Sequence, residues 1–267
     1  MLKKRKLLNF EVSDLCLGCS VLNPKNLKSF LDLGGNFLDT SPLYQDGESE
    51  KIIGKFGNRN DFIIGTKVGL DSSCSGLSTT SILKSVDNSL KRLKTDYIDI
   101  LWIHVWDGTL EFACIFENLL KSGKVKAVGA SNTPAWVISM YKDLFKFVQI
   151  EYNFNNRSSE FELIPMANKL NLNLVGRSIF DKGLVFNNFS FLDVSLLTLQ
   201  WLKNKNILPI VRTGSKQNLI KNVNNYYKDI HPSFLSFLDK GTKPDTIIHP
   251  HNVINSVTVQ RILKNIK

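Results

Sequence analysis

Residues 78–104 read STTSILKSVDNSLKRLKTDYIDILWIH, and this stretch decides the fold. Ser78 is a helix-capping residue type, and Ile82, Leu83, Val86, Leu90 and Leu93 recur behind it at helical spacing. The chain then turns into a short apolar run over 97–104, which reads as a buried strand. Outward from this unit the same alternation repeats. Strands are predicted near 14–20, 36–39, 62–67, 97–104, 125–131, 147–153, 172–178 and 207–213, with amphipathic helical patterns between them. Pro24 opens one such helix after the cap Asn23, and Gly34 and Gly35 close it. Eight strand–helix units argue for a parallel (β/α)8 barrel, the TIM-barrel class of α/β fold, with residues 1–267 as a single domain. An open doubly wound sheet is the competing architecture. It would normally carry a Gly-rich dinucleotide turn, and no G-x-G-x-x-G occurs.

The strand ends carry the chemistry. Asp39, Lys67 and His104 each fall at the end of a buried-looking strand, where barrels build active sites, and Tyr44 lies one short loop past Asp39. Strand alternation puts Ile100, Trp102 and His104 on one face and Leu101 and Ile103 on the other; Ile63, Gly65 and Lys67 likewise share a face. Facing inward, Lys67 and His104 converge at the mouth. A tyrosine hydroxyl has a pKa near about 10 and is a reluctant acid. A neighbouring lysine is expected to lower it, a carboxylate to hold that lysine in place, and a histidine to bond a carbonyl oxygen. The set polarises a carbonyl and supplies one proton. It contains no source of hydride, so a cofactor must bring one. Singly, each residue has an ordinary structural reading; it is the four unlike types in this order that point to function.

Composition bounds the rest. The chain has 267 residues, 43% apolar and 22% charged, with a formal net charge of +10. The lysines are spread along it rather than clustered in a nucleic-acid module, so a solvated surface and no nucleic-acid partner are expected. No apolar run reaches the roughly 18 residues of a membrane span. The basic start is followed by Asn9, Glu11, Ser13 and Asp14, unlike a signal peptide, so a cytoplasmic location is expected. Cys16 and Cys19 form a CxxC pair without the further ligands of a metal site. Three residues apart on a strand they point to opposite faces, so free buried thiols are expected. Trp102 reads as barrel filling and Trp106 as a wall of the pocket. The segment from His231 onward, with Pro244 and Pro250 and a last helical pattern, reads either as a barrel cap or as a border of the mouth. His231, His249 and His251 are expected at the surface. Residues 187–190 match a glycosylation sequon by coincidence.

The run Gly-x-Asn-x-x-Asp-Thr-Ser-x-x-Tyr from Gly34 to Tyr44, followed in order by Lys67 and His104, resembles the signature of the aldo-keto reductase superfamily. Those barrel enzymes use NADPH without a Rossmann fold. The resemblance covers nearly the whole chain and implies a catalytic set of Asp39, Tyr44, Lys67 and His104. It also implies cofactor positions. Ser131 and Asn132, with Gln149, match the segments that hold the nicotinamide carboxamide. Arg212, Thr213, Ser215, Asn218 and Asn222 match the loop and helix start that hold the adenosine 2′-phosphate and adenine, and Gly18 joins this set. Arg177, followed by Ser178, stands where the family often stacks an aromatic ring on the nicotinamide. A guanidinium there can stack on a ring or reach a pyrophosphate. Arg212 replaces a family lysine and Asn218 a family arginine, so NADP(H) is the expected cofactor and NAD(H) stays open. The implied activity is reduction of a small-molecule carbonyl, an aldehyde, ketone or sugar carbonyl, with Tyr44 as proton donor. The alternatives are an NADPH-binding regulatory protein with little turnover, and a barrel lyase or isomerase using Lys67 as a Schiff base.

Overall fold

The structure, a computed structural model, describes residues 1–181, 183, 193–230 and 235. The sequon-like loop, the segment from His231 with its two prolines and last helical pattern, and His231, His249 and His251 lie outside the described residues. The chain opens with an antiparallel hairpin, β1 (Lys4–Leu7) and β2 (Phe10–Ser13). Eight strands then form a closed parallel barrel: β3 (Cys16–Gly18), β4 (Phe37–Asp39), β5 (Ile63–Val68), β6 (Ile98–Ile103), β7 (Val125–Ser131), β8 (Phe145–Glu151), β9 (Asn173–Arg177) and β10 (Leu208–Val211), with β10 closing onto β3. Around it lie α1 (Pro24–Asp32), α2 (Glu48–Gly54), α3 (Thr79–Leu93), α4 (Phe112–Lys121), α5 (Ala135–Met140), α6 (Leu163–Lys169), α7 (Val194–Asn204) and α8 (Lys216–Tyr227). All eight predicted barrel strands are present, and β7 has the predicted bounds. The others shift by one or two residues at their ends, the least sharply defined part of any strand.

The caps behave as their sequence predicts. Asn23 accepts from the Asn26 amide at the start of α1, and Ser78 accepts from the Ser81 amide at the start of α3. The N-terminal hairpin is the element that the sequence hides. Its turn puts Leu8 at φ 54, a conformation usually given to glycine or asparagine, so no turn signal announces it. The hairpin closes the lower end of the barrel. Val12 is buried in the barrel interior with Phe37, Ile100, Trp102 and Phe147, and Phe10 packs onto the same cluster. Leu101 and Ile103 belong to the outer layer between barrel and helices, as alternation predicts. Cys16 faces the interior and Cys19 the outer layer; both are buried and free.

Trp102 crosses the barrel as its floor. A Cβ at Gly65 would stand 2.5 Å from its Nε1 and one at Gly129 2.4 Å from its Cε3, so only glycine fits on either side. Above this floor the inward positions turn polar.

Candidate active site

Asp39 ends β4, Lys67 is the penultimate residue of β5, and His104 follows β6 directly. Tyr44 begins a short 3-10 turn, and the next three residues, Gln45, Asp46 and Gly47, all take left-handed φ values of 52, 52 and 81. That reversal drops the chain into α2, which is anchored from below. Thr66, on the outer face of β5 beside Lys67, donates to the fully buried Glu50 at 2.5 Å, and Arg92 of α3 donates to the other Glu50 oxygen at 2.6 Å. The loop bearing Tyr44 is thereby fixed to the strand bearing Lys67.

The four residues meet. Lys67 Nζ donates to Asp39 Oδ2 at 2.8 Å, to the Thr40 carbonyl at 2.7 Å and to the Tyr44 hydroxyl at 3.3 Å. Gln149 Nε2 donates to the other Asp39 oxygen at 2.9 Å. The Tyr44 and His104 rings stand edge to face with centroids 6.0 Å apart. Both Lys67 and Asp39 are buried, so their charges depend on each other. Burial works against the Lys67 ammonium, but Asp39 and Tyr44 outweigh it and hold its pKa above the ordinary value. Burial pushes the Tyr44 hydroxyl up, with Lys67 pulling it back. The net direction is upward, which corrects the expectation that the lysine lowers this pKa: desolvation outweighs the single cation. Tyr44 therefore keeps its proton at neutral pH. His104 is pushed well below the ordinary value by burial, then by Lys67 and Arg177, and is neutral.

The positions expected to hold a cofactor take the rest of the rim. Catalytic candidates stand on or just past β4, β5 and β6. Ser131, Gln149 and Arg177 stand on β7, β8 and β9, with Asn132 and Ser178 just beyond; Arg212 follows β10, and Gly18 ends β3. Ser131 and Gln149 are register partners and both are buried. Asn132 sits at φ 47 with its amide fully engaged: Nδ2 donates to the His104 carbonyl at 2.7 Å, and Oδ1 accepts from Arg177 Nη2 at 2.6 Å. Arg177 Nη1 reaches Glu151 at 2.6 Å and, at 3.4 Å, Ser178 Oγ. Its Nε–H is buried with no acceptor among the described residues. Across the rim, Ser215 caps α8 by accepting from the Asn218 amide, and Thr213 Oγ1 accepts from the Ser215 amide. Arg212 and Asn218 are exposed there, whereas Asn222 is buried on the inner side of α8. A Cβ at Gly18 would stand 2.9 Å from Ile210 Cγ2, tucking this strand end against Arg212.

The sequence reading passed over two polar residues that join this site. Glu151, the partner of Arg177, lies two residues past Gln149 on β8, and period-two alternation could have found it. Ser41, within the motif itself, touches His104. Trp106 is partly buried against the outer core and stands edge to face with the exposed Trp136 at 5.4 Å.

The aldo/keto reductase family model matches residues 23–191. Among relatives, the aryl-alcohol dehydrogenase [NADP(+)] of Phanerodontia chrysosporium is 36% identical over 171 residues, 54% of this chain and 44% of the relative. Norsolorinic acid reductase B of Aspergillus parasiticus is 31% identical over 215 residues, 66% of this chain and 56% of the relative. The chain thus spans about half the length of the curated relatives it matches. Among solved structures, the holo form of an aldo-keto reductase from Bacillus halodurans superposes with a TM-score of 0.84 at 24% identity, covering 94% of this chain and 99% of that one. An aldo/keto reductase from Klebsiella pneumoniae in complex with NADP and acetate gives 0.79 at 20% identity, covering 92% and 97%. At these identities the likeness is one of fold.

Proposed function

Since the chain belongs to the aldo/keto reductase family, we propose that it is an NADP(H)-dependent oxidoreductase that reduces the carbonyl of a small molecule to an alcohol, or runs the reverse reaction, with Tyr44 as the proton donor. The observation that carries this reading is Lys67 Nζ, which bonds Asp39 and the Tyr44 hydroxyl at once in the barrel mouth.

The residues fit a nicotinamide dinucleotide phosphate on two counts. The buried Nε–H of Arg177 has no acceptor among the described residues, beside Ser131, Asn132 and Gln149. On the other side, the capped start of α8 carries exposed Arg212 and Lys216, a combination that suits a phosphate. The name of the fungal aryl-alcohol dehydrogenase and the Klebsiella complex both point to NADP rather than NAD. NADPH, when bound, supplies the hydride that reaches the carbonyl carbon.

The chain's own residues do the remainder. Tyr44 holds its proton at neutral pH and gives it to the carbonyl oxygen as charge develops there. The phenolate left behind lies beside the Lys67 ammonium, which Asp39 keeps charged. His104 bonds the carbonyl oxygen as a neutral donor. Lys67 suits this role and not a Schiff base, for which it would have to shed its proton while Asp39 favours the charged form. The ring pair of Trp136 and Trp106, the latter two residues past His104 in the chain, would suit an apolar or aromatic body behind the carbonyl.

The test is NADPH consumption against a panel of aldehydes, ketones and sugar carbonyls. Tyr44→Phe is expected to lose roughly 10²–10⁴-fold in kcat, the range for a general acid, with NADPH affinity unchanged. Equal turnover in the two proteins would sink the mechanism. Tight NADPH binding with no turnover by the wild type would favour the regulatory alternative.

A further inference from the structure

Ser41 lies two residues after Asp39 and is fully buried. Its Oγ is 3.2 Å from the Leu43 amide, which donates to it, and 3.3 Å from Nδ1 of His104. A serine hydroxyl offers one proton and two lone pairs. Leu43 takes a lone pair, and among the described residues His104 Nδ1 is the acceptor within reach of the proton. The opposite arrangement, with Nδ1 protonated, would make Ser41 accept twice and leave its own O–H buried without an acceptor, which is unfavourable. His104 is neutral in this site, so only one ring nitrogen carries a proton. Nothing among the described residues bonds its Nε2.

We propose that Ser41 is a positioning residue that sets the tautomer of His104: by donating to Nδ1 it leaves the proton on Nε2, which makes His104 a hydrogen-bond donor for the carbonyl oxygen. The inference rests on the role given to His104 above. At 3.3 Å the bond is long for a hydroxyl donor, so it biases the tautomer rather than locking it. The Asn132 amide on the His104 carbonyl and the His104 amide on the Val68 carbonyl hold the backbone but do not choose between the ring nitrogens.

Long-range proton–nitrogen NMR on ¹⁵N-histidine-labelled full-length protein reads the tautomer directly. The wild type is expected to show His104 mainly as Nε2–H, and Ser41→Ala to shift it toward a mixture. Removing an oxyanion donor outright costs about 10²–10³ in kcat. Sharing the proton between two nitrogens costs less, and about a tenfold loss of kcat is expected for Ser41→Ala, with NADPH affinity unchanged and recovery in Ser41→Thr. Three results would overturn the proposal: Nδ1–H as the main form in the wild type, an unchanged tautomer in Ser41→Ala, or a parallel loss of NADPH affinity, which marks a merely structural role. A wild-type spectrum with Nδ1–H as the main form overturns the proposal even where a variant does not fold. It also stands apart from the functional reading, since the tautomer is measurable in a protein that turns over no carbonyl.

Discussion

At one end of the barrel, Val12 and Phe10 of the β1–β2 hairpin press onto Phe147 and Trp102; at the other, Asp39, Lys67, Tyr44 and Gln149 share one chain of hydrogen bonds. The same strands build both. On β6 the inward row runs from Ile100 through Trp102, and His104 stands beyond the strand end, so one face passes from plug to floor to site in five residues. The lower end gains stability from every methyl it buries. The upper end buries a carboxylate and an ammonium, an arrangement that is weak evidence for stability but costly to break in half. Stability and chemistry are thus separated along the barrel axis, and substitutions at the two ends should fail in different ways.

The largest effect is expected at Lys67. Lys67→Met leaves Asp39 buried with Gln149 as its remaining side-chain partner, and should cost about 3–5 kcal/mol in urea unfolding together with nearly all turnover. Adding Asp39→Asn removes the stranded charge. The double variant should regain most of the stability and none of the turnover. A double variant as unstable as the single one would mean that the ion pair props up the barrel, and the separation of the two ends would break.

Val12→Ala tests the lower end. Losing two buried methyl groups should cost about 2 kcal/mol, with kcat/KM within twofold of the wild type. A larger fall in kcat/KM would show that packing under Trp102 reaches the site through the floor.

How much of this was legible in the sequence differs between the ends. The barrel could be read because buried parallel strands are continuous apolar runs set between helical patterns, and eight such units leave few alternatives. The meeting of Asp39, Lys67, Tyr44 and His104 followed from strand ends and alternation. The hairpin could not be read, since Leu8 occupies a left-handed position that its side chain disfavours and four-residue strands barely show a period. The sign of the Tyr44 shift was misjudged for a related reason. Sequence shows that a lysine is near, but not how completely the hydroxyl is desolvated, and desolvation dominates. The Arg177–Glu151–Asn132 cluster joins the ends of three neighbouring strands, and it is their register, with Glu151 beside Arg177, that makes them neighbours.

The smallest effect separates the ends by pH. The His104 pKa is held well below its ordinary value in the fold by burial, Lys67 and Arg177, while in the unfolded chain it returns to about 6.5. Above that pH both states are neutral at this group, and the contribution to stability is fully present. As pH falls below 6.5 the unfolded chain takes up a proton that the fold refuses, so stability declines, by at most about 1.4 kcal/mol per pH unit. The two tyrosines beside the hairpin provide no counterpart there. Burial pushes the Tyr226 hydroxyl up to about 12, and Tyr227 is raised as well, so neither changes charge between pH 5 and 8. Urea midpoints measured from pH 7.5 down to 5 should therefore fall in the wild type and in Val12→Ala with the same slope, displaced but parallel, whereas His104→Gln should flatten that slope. If the slope survives in His104→Gln, the acid sensitivity lies outside the mouth, and the neutral His104 on which the Ser41 tautomer argument depends loses its thermodynamic support.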